Sequence, residues 1–149
     1  MVRPGLLPTA RRLRTWPPVL AASSRYLDKV GAPASPDGLS DHALILGPIG
    51  VATTWSLRKG GTTKSVRVDG RLIVRTNEGV IAAAVAGLGI VMTSLGACRR
   101  ELDGGALVRV LPDWDVGSVE LNAVFASGRA AKPAARAFTD YLAGALDEV

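Results

Sequence analysis

The chain is poor in the residues that build metal sites and disulfide frameworks. Among its 149 residues there is one cysteine, Cys98, and one histidine, His42. A single cysteine cannot form an internal disulfide, and a structural zinc site draws about four ligands from cysteine and histidine. These scarcities argue against a metal centre and against a disulfide-stapled secreted fold. We therefore expect no metal, no cofactor and a reducing, cytoplasmic location.

Long apolar runs are also missing. No run approaches the roughly 18 apolar residues of a membrane-spanning helix. Arg11 and Arg12 precede an apolar patch near the N-terminus, but Pro17 and Pro18 interrupt it. The apolar run that follows, Val19–Ala22, is too short for the core of a signal peptide. We predict no membrane partner.

Charge of one sign is in modest excess but is not concentrated. Lysine and arginine total 18 against 13 acidic residues, which gives a net charge of +5 and a pI near 10.0. An excess of this kind can attract anions, yet the basic residues are scattered and aromatics make up only 5% of the chain. We favour solvated charges over a nucleic-acid face. The hydrophobic content of 48% and mean hydropathy of +0.24 indicate one well-cored folded domain.

The most informative stretch runs from Thr76 to Ser94, TNEGVIAAAVAGLGIVMTS. Thr76 or Asn77 is suited to cap a helix, whose apolar residues recur at helical spacing and cover most of its circumference, so we expect it to be buried. Gly87 is suited to end that helix, and residues 90–92 form an apolar run typical of an interior strand. The free amides at the start of such a helix can hold a carboxylate or another anion. A cap is equally necessary in a purely structural helix.

The remaining patterns alternate between strands and helices, which predicts the α/β class. A short helix is expected over Ser24–Val30, and RKGGTTK is typical of an exposed hairpin connection. Asp69-Gly70 between alternating apolar residues predicts a second hairpin. Leu95–Leu102 predicts another helix, Val119–Phe125 a half-buried strand, and Pro133 the start of a final amphipathic helix.

Candidate nucleophiles and bases are few. His42 could act with Ser23 and a carboxylate, or with Cys98, in a small hydrolase-like enzyme. No recognisable motif places a partner beside His42, and the pattern of a nucleophile elbow is missing. Cys98, next to Arg99 and Arg100, is more simply explained as a small buried residue. We therefore predict no catalytic residues.

Four segments in order resemble LysR-type transcriptional regulators. They are ARRL followed by VLAASSRYL, GRLIVRTNEGVIAAAVAGLGIVMTS, GALVRVLPDWD, and LNAVFASGRAAKPAARAFTDYL. The resemblance is to the second half of the family's effector-binding region. It implies an α/β fold like the type 2 periplasmic binding proteins, in which two subdomains flank a ligand cleft. Residues 1–18 would be an extended lead-in, residues 19–117 the second subdomain, and residues 118–149 the returning strand and C-terminal helix of the first.

The resemblance also implies the position of the effector site. Ala22 and Ser23 would lie where the chain enters the second subdomain, near the hinge, and Thr76 and Asn77 at a helix start that faces the cleft. Thr93 and Ser94 follow the buried strand, where many relatives have a proline. That departure replaces a rigid apolar wall with hydroxyl donors. The predicted effector-binding residues are Ser23, Thr76, Asn77, Thr93 and Ser94.

The family's winged helix-turn-helix, linker helix and first α/β half have no counterpart in the chain. The resemblance therefore implies a truncated effector-sensing module, with the N-terminal half missing, that reaches DNA only through a helix-turn-helix absent from these residues. Its expected partners are a carboxylate-bearing or aromatic small molecule and further copies of the family's effector domain. Apolar surface around Phe125, Phe138 and Tyr141 would then be exposed. The alternatives are a non-functional remnant, a partner that only pairs with full-length regulators, a solute-binding protein of the same broad fold, and the small enzyme.

Overall fold

A computed structural model describes residues 9–125 and 132–147 of the chain. The described elements, in chain order, are β1 (Thr9–Trp16), β2 (Pro18–Ala22), α1 (Ser24–Val30), a 3-10 helix (Pro36–Asp41), β3 (Leu44–Leu46), β4 (Thr54–Lys59), β5 (Thr62–Arg67), β6 (Gly70–Ile73), α2 (Asn77–Val85), β7 (Ile90–Ser94), α3 (Leu95–Asp103), β8 (Val108–Val110), β9 (Val119–Phe125) and α4 (Pro133–Asp147). The chain divides into a large unit, Trp16–Val119, and a small unit built from the segments before and after it.

The large unit is centred on a five-stranded sheet in the order β6-β3-β7-β2-β8. β3 pairs in parallel with both β6 and β7, while β2 runs antiparallel to β7 and β8. Strand β7 is therefore interior, as its apolar run predicts, and Val91 at its centre is completely buried. The three parallel strands end at one edge of the sheet, which we call the carboxyl edge.

The sheet is covered on both faces, so the large unit has three layers. One face packs against the β4–β5 hairpin, α1 and the 3-10 helix through a cluster that includes Leu20, Trp55 and Met92. The other face packs against α2 and α3 through Val91, Val80 and Cys98. Alternate residues of each strand supply the two clusters because side chains on a strand point to opposite faces. Complete burial of one such aliphatic side chain contributes about 1.5–3 kcal/mol.

Thr76 to Ser94 forms the predicted helix, turn and strand. The Oγ1 atom of Thr76 caps α2, and Gly87 adopts a φ of 83° that favours glycine. Helix α2 is buried on one face only. Ala82 and Val85 are exposed, so the expectation of a helix buried all round is wrong. The reason is that a single sheet covers the helix, together with α3 at its side, which leaves the outer face in solvent.

The second predicted hairpin, at Asp69-Gly70, does not form. β5 pairs with β4 in the hairpin that turns at Gly60-Gly61, whereas β6 pairs in parallel with β3. Gly70 has a packing role instead, because a Cβ atom there would lie 2.5 Å from the Cγ atom of Leu46. The Asp-Gly pair thus links the hairpin layer to the central sheet.

In the small unit, β1 and β9 form a two-stranded sheet. Residues 9–16 of the predicted extended lead-in form strand β1, while residues 1–8 lie outside the described residues. The pattern of β1 is hard to detect because its side chains are mostly exposed. Ion pairs join Arg11 to Asp140 and Arg12 to Glu120. The side chains of Phe138 and Tyr141 are 60% and 71% exposed, as expected, whereas Phe125 is half-buried.

Candidate functional site

The carboxyl edge of the large unit gathers polar chain segments from three strands. β3 leads into a loop over residues 47–50, β6 leads to Thr76 and α2, and β7 ends at Ser94, which begins α3. Pro18 lies opposite Ser94 in the antiparallel β2–β7 pair, so the start of β2 reaches the same edge. Ligands of open α/β sheets bind outside the carboxyl ends of the strands. This edge is therefore the first place to look for a binding site.

The start of α2 presents an exposed cap and free backbone donors. The Oγ1 atom of Thr76 accepts a hydrogen bond from the amide of Gly79 at 3.1 Å. The amides of Asn77 and Glu78 have no acceptor within the helix, because they belong to its first turn. Among the described residues, the Oδ1 atom of Asn77 is buried and has no hydrogen-bond partner. Two amides and one unpaired amide oxygen thus lie within one turn of the helix.

The loop after β3 lies close against this helix start. A Cβ atom on Gly47 would lie 2.6 Å from the Cγ1 atom of Val80, so only glycine allows the loop to lie this close to the helix. The amide of Val74 donates to the carbonyl of Leu46 at 2.9 Å and holds the segment before α2 against the end of β3. These contacts keep the helix start in a fixed position, which reduces the conformational cost of binding a ligand there.

The start of α3 has the same construction. The Oγ atom of Ser94 is half-buried and accepts from the amide of Ala97 at 3.3 Å. The amide of Leu95 donates to the carbonyl of Pro17 at 3.0 Å, so the chain entering β2 occupies one of the donors of this turn. The amide of Gly96 remains without an acceptor inside the helix. Two helix starts therefore lie along one edge, and their dipoles both favour an anionic group.

Charged side chains beside α2 have opposite effects on an anion. Glu78 lies in the first turn of α2, where its carboxylate is favoured by the dipole but repels a bound anion. Arg75, exposed in solvent immediately before the cap, has the opposite effect. Selectivity for an anion would consequently depend on backbone donors more than on net charge. The described residues contain no group of three or more potential metal ligands among histidine, cysteine and acidic side chains.

Thr93 lies on the same strand as Ser94 but cannot touch a molecule at the surface. It is completely buried, and its register partner Val19 belongs to the cluster under α2 and α3. Its Oγ1 atom has no hydrogen-bond partner in the described part of the chain. The hydroxyl is therefore an unsatisfied polar group inside an apolar layer, and a ligand would need a rearrangement to reach it.

Ser23 lies at the opposite edge of the sheet from the other four predicted residues. β2 pairs with β7 so that Pro18 faces Ser94 and Ala21 faces Val91, which places Ser23 beyond the start of β7. The chain enters the large unit at Trp16, so the expected position of Ser23 near the entry point is wrong. Its Oγ atom caps α1 by accepting from the amide of Tyr26 at 3.2 Å.

A cavity of about 500 Å³ adjoins the carboxyl edge on the hairpin side of the sheet. It shares Pro18 and Gly50 with that edge and is otherwise lined by Ile49, Ala52, Thr54, Trp55, Ser56, Arg58, Thr63, Met92 and residues 115–119. The indole N–H of Trp55 donates to the carbonyl of Gly50 at 2.9 Å. Arg58 and Asp115 exchange backbone hydrogen bonds of 2.8 and 2.7 Å and form a side-chain ion pair at 3.5 Å.

Sequence reasoning missed this cavity. Its walls come from segments far apart in the chain, and the contact between Arg58 and Asp115 is an isolated bridge with no local signal. Trp55 is the one signal in the sequence that could have indicated this cavity, since a buried tryptophan usually needs a hydrogen-bond acceptor for its N–H group.

Among the described residues, His42 has neither Ser23 nor Cys98 as a hydrogen-bond partner. His42 interacts with Tyr26, whose Oη atom lies 3.0 Å from Nδ1 and also accepts from the amide of Ala43. Cys98 is completely buried in the cluster under α2 and α3, whereas His42 lines a cavity with Leu44 and Val68 of the opposite cluster. The sheet separates the two residues.

The thiol of Cys98 is not activated. Burial, and secondarily the nearby carboxylate of Glu101, raise its pKa above the ordinary value, although a backbone hydrogen bond and Arg109 act in the opposite direction. A raised pKa leaves less thiolate, which is the nucleophilic form. The expectation that Cys98 is a small buried residue is confirmed.

Taken together, these features define a three-layer α/β unit with polar loop and helix ends converging at one sheet edge, which is the construction of a ligand-binding domain. A family model described as the LysR substrate binding domain matches residues 7–147. The chain belongs to this family. Its mixed α/β architecture is that of the regulatory domains of LysR-type regulators, which have the periplasmic-binding-protein-like fold, so the predicted fold class is confirmed.

The curated relatives and the solved structures that the chain resembles are also transcriptional regulators. The chain is 31% identical over 159 aligned residues to the HTH-type transcriptional regulator YhjC of Escherichia coli K12, covering 99% of this chain and 52% of that protein. It is 29% identical to an HTH-type regulator of Xanthomonas campestris, covering 98% and 45%. The regulatory domain of the C227S variant of AphB from Vibrio vulnificus superposes with a TM-score of 0.79 at 26% identity, covering 92% of this chain and 69% of that one.

The regulatory domain of CrgA from Neisseria meningitidis, described as a LysR-type transcriptional regulator, gives a TM-score of 0.75 at 26% identity, with coverage of 93% and 69%. The chain spans about half the length of the curated relatives it matches. Among its described residues, no helix combines the length and the apolar composition that crossing a membrane would require.

Proposed function

We propose that the protein senses a small-molecule effector for a LysR-type transcriptional regulator and that the effector binds at the carboxyl edge of the large unit. The observation that carries the proposal is the convergence of two capped helix starts, at Thr76 and Ser94, with the loop over residues 47–50. Membership of the LysR substrate binding domain family supports it. The large and small units would correspond to the second and first subdomains of the family's effector region.

The proposed ligand contacts are the exposed groups at this edge. Thr76, Asn77 and Ser94 remain candidates because each is at least partly accessible. Ser23 is no longer a candidate because it lies at the opposite edge of the sheet, and Thr93 is no longer one because it is completely buried. A small molecule with a carboxylate fits the amides of the first helical turns, and an aromatic part fits the adjoining cavity beside Trp55. We propose that the protein binds this molecule without transforming it.

The wider role follows from the relatives. We propose a cytoplasmic location, because the bacterial relatives are transcriptional regulators and DNA lies in the cytoplasm. We propose that contact with DNA depends on a helix-turn-helix outside these 149 residues. We further propose that the chain associates with copies of itself or with a full-length regulator, because Phe138 and Tyr141 expose large aromatic surfaces.

The test compares two helix caps that differ in position. Thr76→Val removes a cap at the proposed site and Ser23→Ala removes one at the opposite edge, and each should cost about 1 kcal/mol of stability. An effector would first be identified by a thermal-shift screen of small carboxylates and aromatic acids, since a ligand that binds the folded state raises its stability. Its affinity would then be measured by calorimetry for both variants.

We expect Thr76→Val to weaken effector binding about 2- to 10-fold, the equivalent of one hydrogen bond, and Ser23→Ala to leave the affinity unchanged. Equal affinity in wild type and Thr76→Val would remove Thr76 from the site. A loss confined to Ser23→Ala would move the site to the other edge of the sheet.

A further inference from the structure

A third cavity lies at the amino edge of the sheet, opposite the proposed effector site. It has a volume of about 370 Å³, at the small end of the roughly 300–1,000 Å³ typical of ligand pockets. Four chain segments form it: α1, the residue before β3, the start of β6, and the turn between α2 and β7. Its lining residues are Tyr26, Lys29, Val30, Ala43, Arg71, Leu72, Gly87 and Leu88.

The charged residues of this cavity are all cationic. Lys29 comes from α1 and Arg71 from β6, and within the described residues neither side chain forms a hydrogen bond or an ion pair. No acidic side chain is part of the lining, and Asp69, two residues before Arg71, lines a different cavity. Two separate elements therefore bring uncompensated positive charge to one opening.

The end of α2 would normally oppose an anion here, because the last carbonyls of a helix carry partial negative charge. Arg25 offsets that effect. Its Nη2 atom donates to the carbonyl of Ala86 at 2.7 Å, and its guanidinium lies 3.3 Å from the position that a Cβ atom of Gly87 would occupy. A third cation thus neutralises the one element of the cavity that would repel a negative ligand.

The rest of the lining is apolar and in part exposed. Val30 and Leu88 are 51% and 53% exposed. Tyr26 is buried, and its hydroxyl is already engaged by the amide of Ala43 and by His42, each at 3.0 Å. Its phenol oxygen is therefore not free to recognise a polar ligand. The cavity therefore provides a ligand with apolar contacts and positive charge.

We propose that this cavity binds a small monocarboxylate with an apolar body, such as an aromatic or medium-chain acid. Lys29 and Arg71 hold the carboxylate at the rim, and the apolar lining receives the body of the molecule. The site is independent of the proposed effector site, from which the length of the central strands separates it.

The test is an NMR titration of the isotope-labelled chain with sodium benzoate at low ionic strength, with benzyl alcohol as the uncharged analogue. We expect saturable shifts of the amides of Ala43, Gly87 and Leu88, and weaker binding of the alcohol. The double variant Lys29→Gln/Arg71→Gln should lower the benzoate affinity by about fivefold or more, since two charge contacts are lost.

The matched control is Lys59→Gln/Arg67→Gln, which removes the same charge from the β4–β5 hairpin and should change the affinity less than about twofold. A further variant, Leu88→Glu, puts a negative charge at the exposed rim of the cavity and should abolish the shifts without disturbing the core. Absence of saturable shifts at about 10 mM benzoate would overturn the proposal. So would equal losses in the two double variants, or shifts confined to the carboxyl edge around Asn77 and Gly96.

Discussion

The buried hydroxyl of Thr93 gives the sharpest prediction about stability. Thr93 is completely buried, and its Oγ1 atom has no hydrogen-bond partner among the described residues. In protein mutational data, burial of a hydroxyl without a compensating hydrogen bond costs about 1–3 kcal/mol. Thr93→Val replaces that hydroxyl with a methyl group of similar size. We therefore expect the free energy of unfolding to rise by about 1–2 kcal/mol.

Val91 provides a matched control on the same strand. Its side chain is also completely buried and belongs to the same cluster under α2 and α3. Val91→Thr introduces the hydroxyl that Thr93→Val removes, so it should lower the free energy of unfolding by about 1–3 kcal/mol. The pair of variants distinguishes the burial of a polar group from any general sensitivity of β7 to substitution.

Urea unfolding followed by circular dichroism measures both changes. The midpoint should move to higher urea for Thr93→Val and to lower urea for Val91→Thr, with the slope m unchanged if only stability is altered. A loss of stability in Thr93→Val would refute the reasoning, because it would mean that the hydroxyl has a partner. Weaker effector binding by this variant would return Thr93 to the effector site.

Three further predictions concern other parts of the chain. The double variant Phe138→Ser/Tyr141→Ser should reduce self-association in light scattering, and a wild type that is already a compact monomer would contradict this. Because the pKa of Cys98 is raised in the folded state, its contribution to stability is complete below the thiol pKa of the unfolded chain, about 8.5, and declines at higher pH. The stability difference between wild type and Cys98→Ala should therefore fall above about pH 9, and a pH-independent difference would argue against a raised pKa. DNA binding by these residues should be weak, sequence-independent and abolished by salt, whereas a salt-resistant, sequence-specific band shift would contradict the proposed role.

Local features of the chain were predictable from sequence. The cap at Thr76, the turn at Gly87 and the helix over Ser24–Val30 depend on interactions within a few residues, and the structure has all three. The family resemblance added what local patterns do not contain, namely the fold class and the function of the relatives.

Features that depend on strand pairing were not predictable. Asp69-Gly70 has the composition of a hairpin turn, yet β6 pairs in parallel with β3, and Gly70 lies close to the side chain of Leu46. Ser23 lies at the edge opposite the proposed site because β2 runs antiparallel to β7, and this pairing is not evident from either segment alone. The contact between Arg58 and Asp115 joins distant parts of the chain in the same way.

We propose above all that an effector binds where α2 and α3 begin. The most direct measurement is the map of amide chemical-shift changes when the effector identified by thermal shift is added to the isotope-labelled chain. We expect the largest changes on the amides of Asn77, Glu78 and Gly96 and in the loop over residues 47–50. Changes concentrated elsewhere in the large unit, with these amides unaffected at saturation, would contradict it.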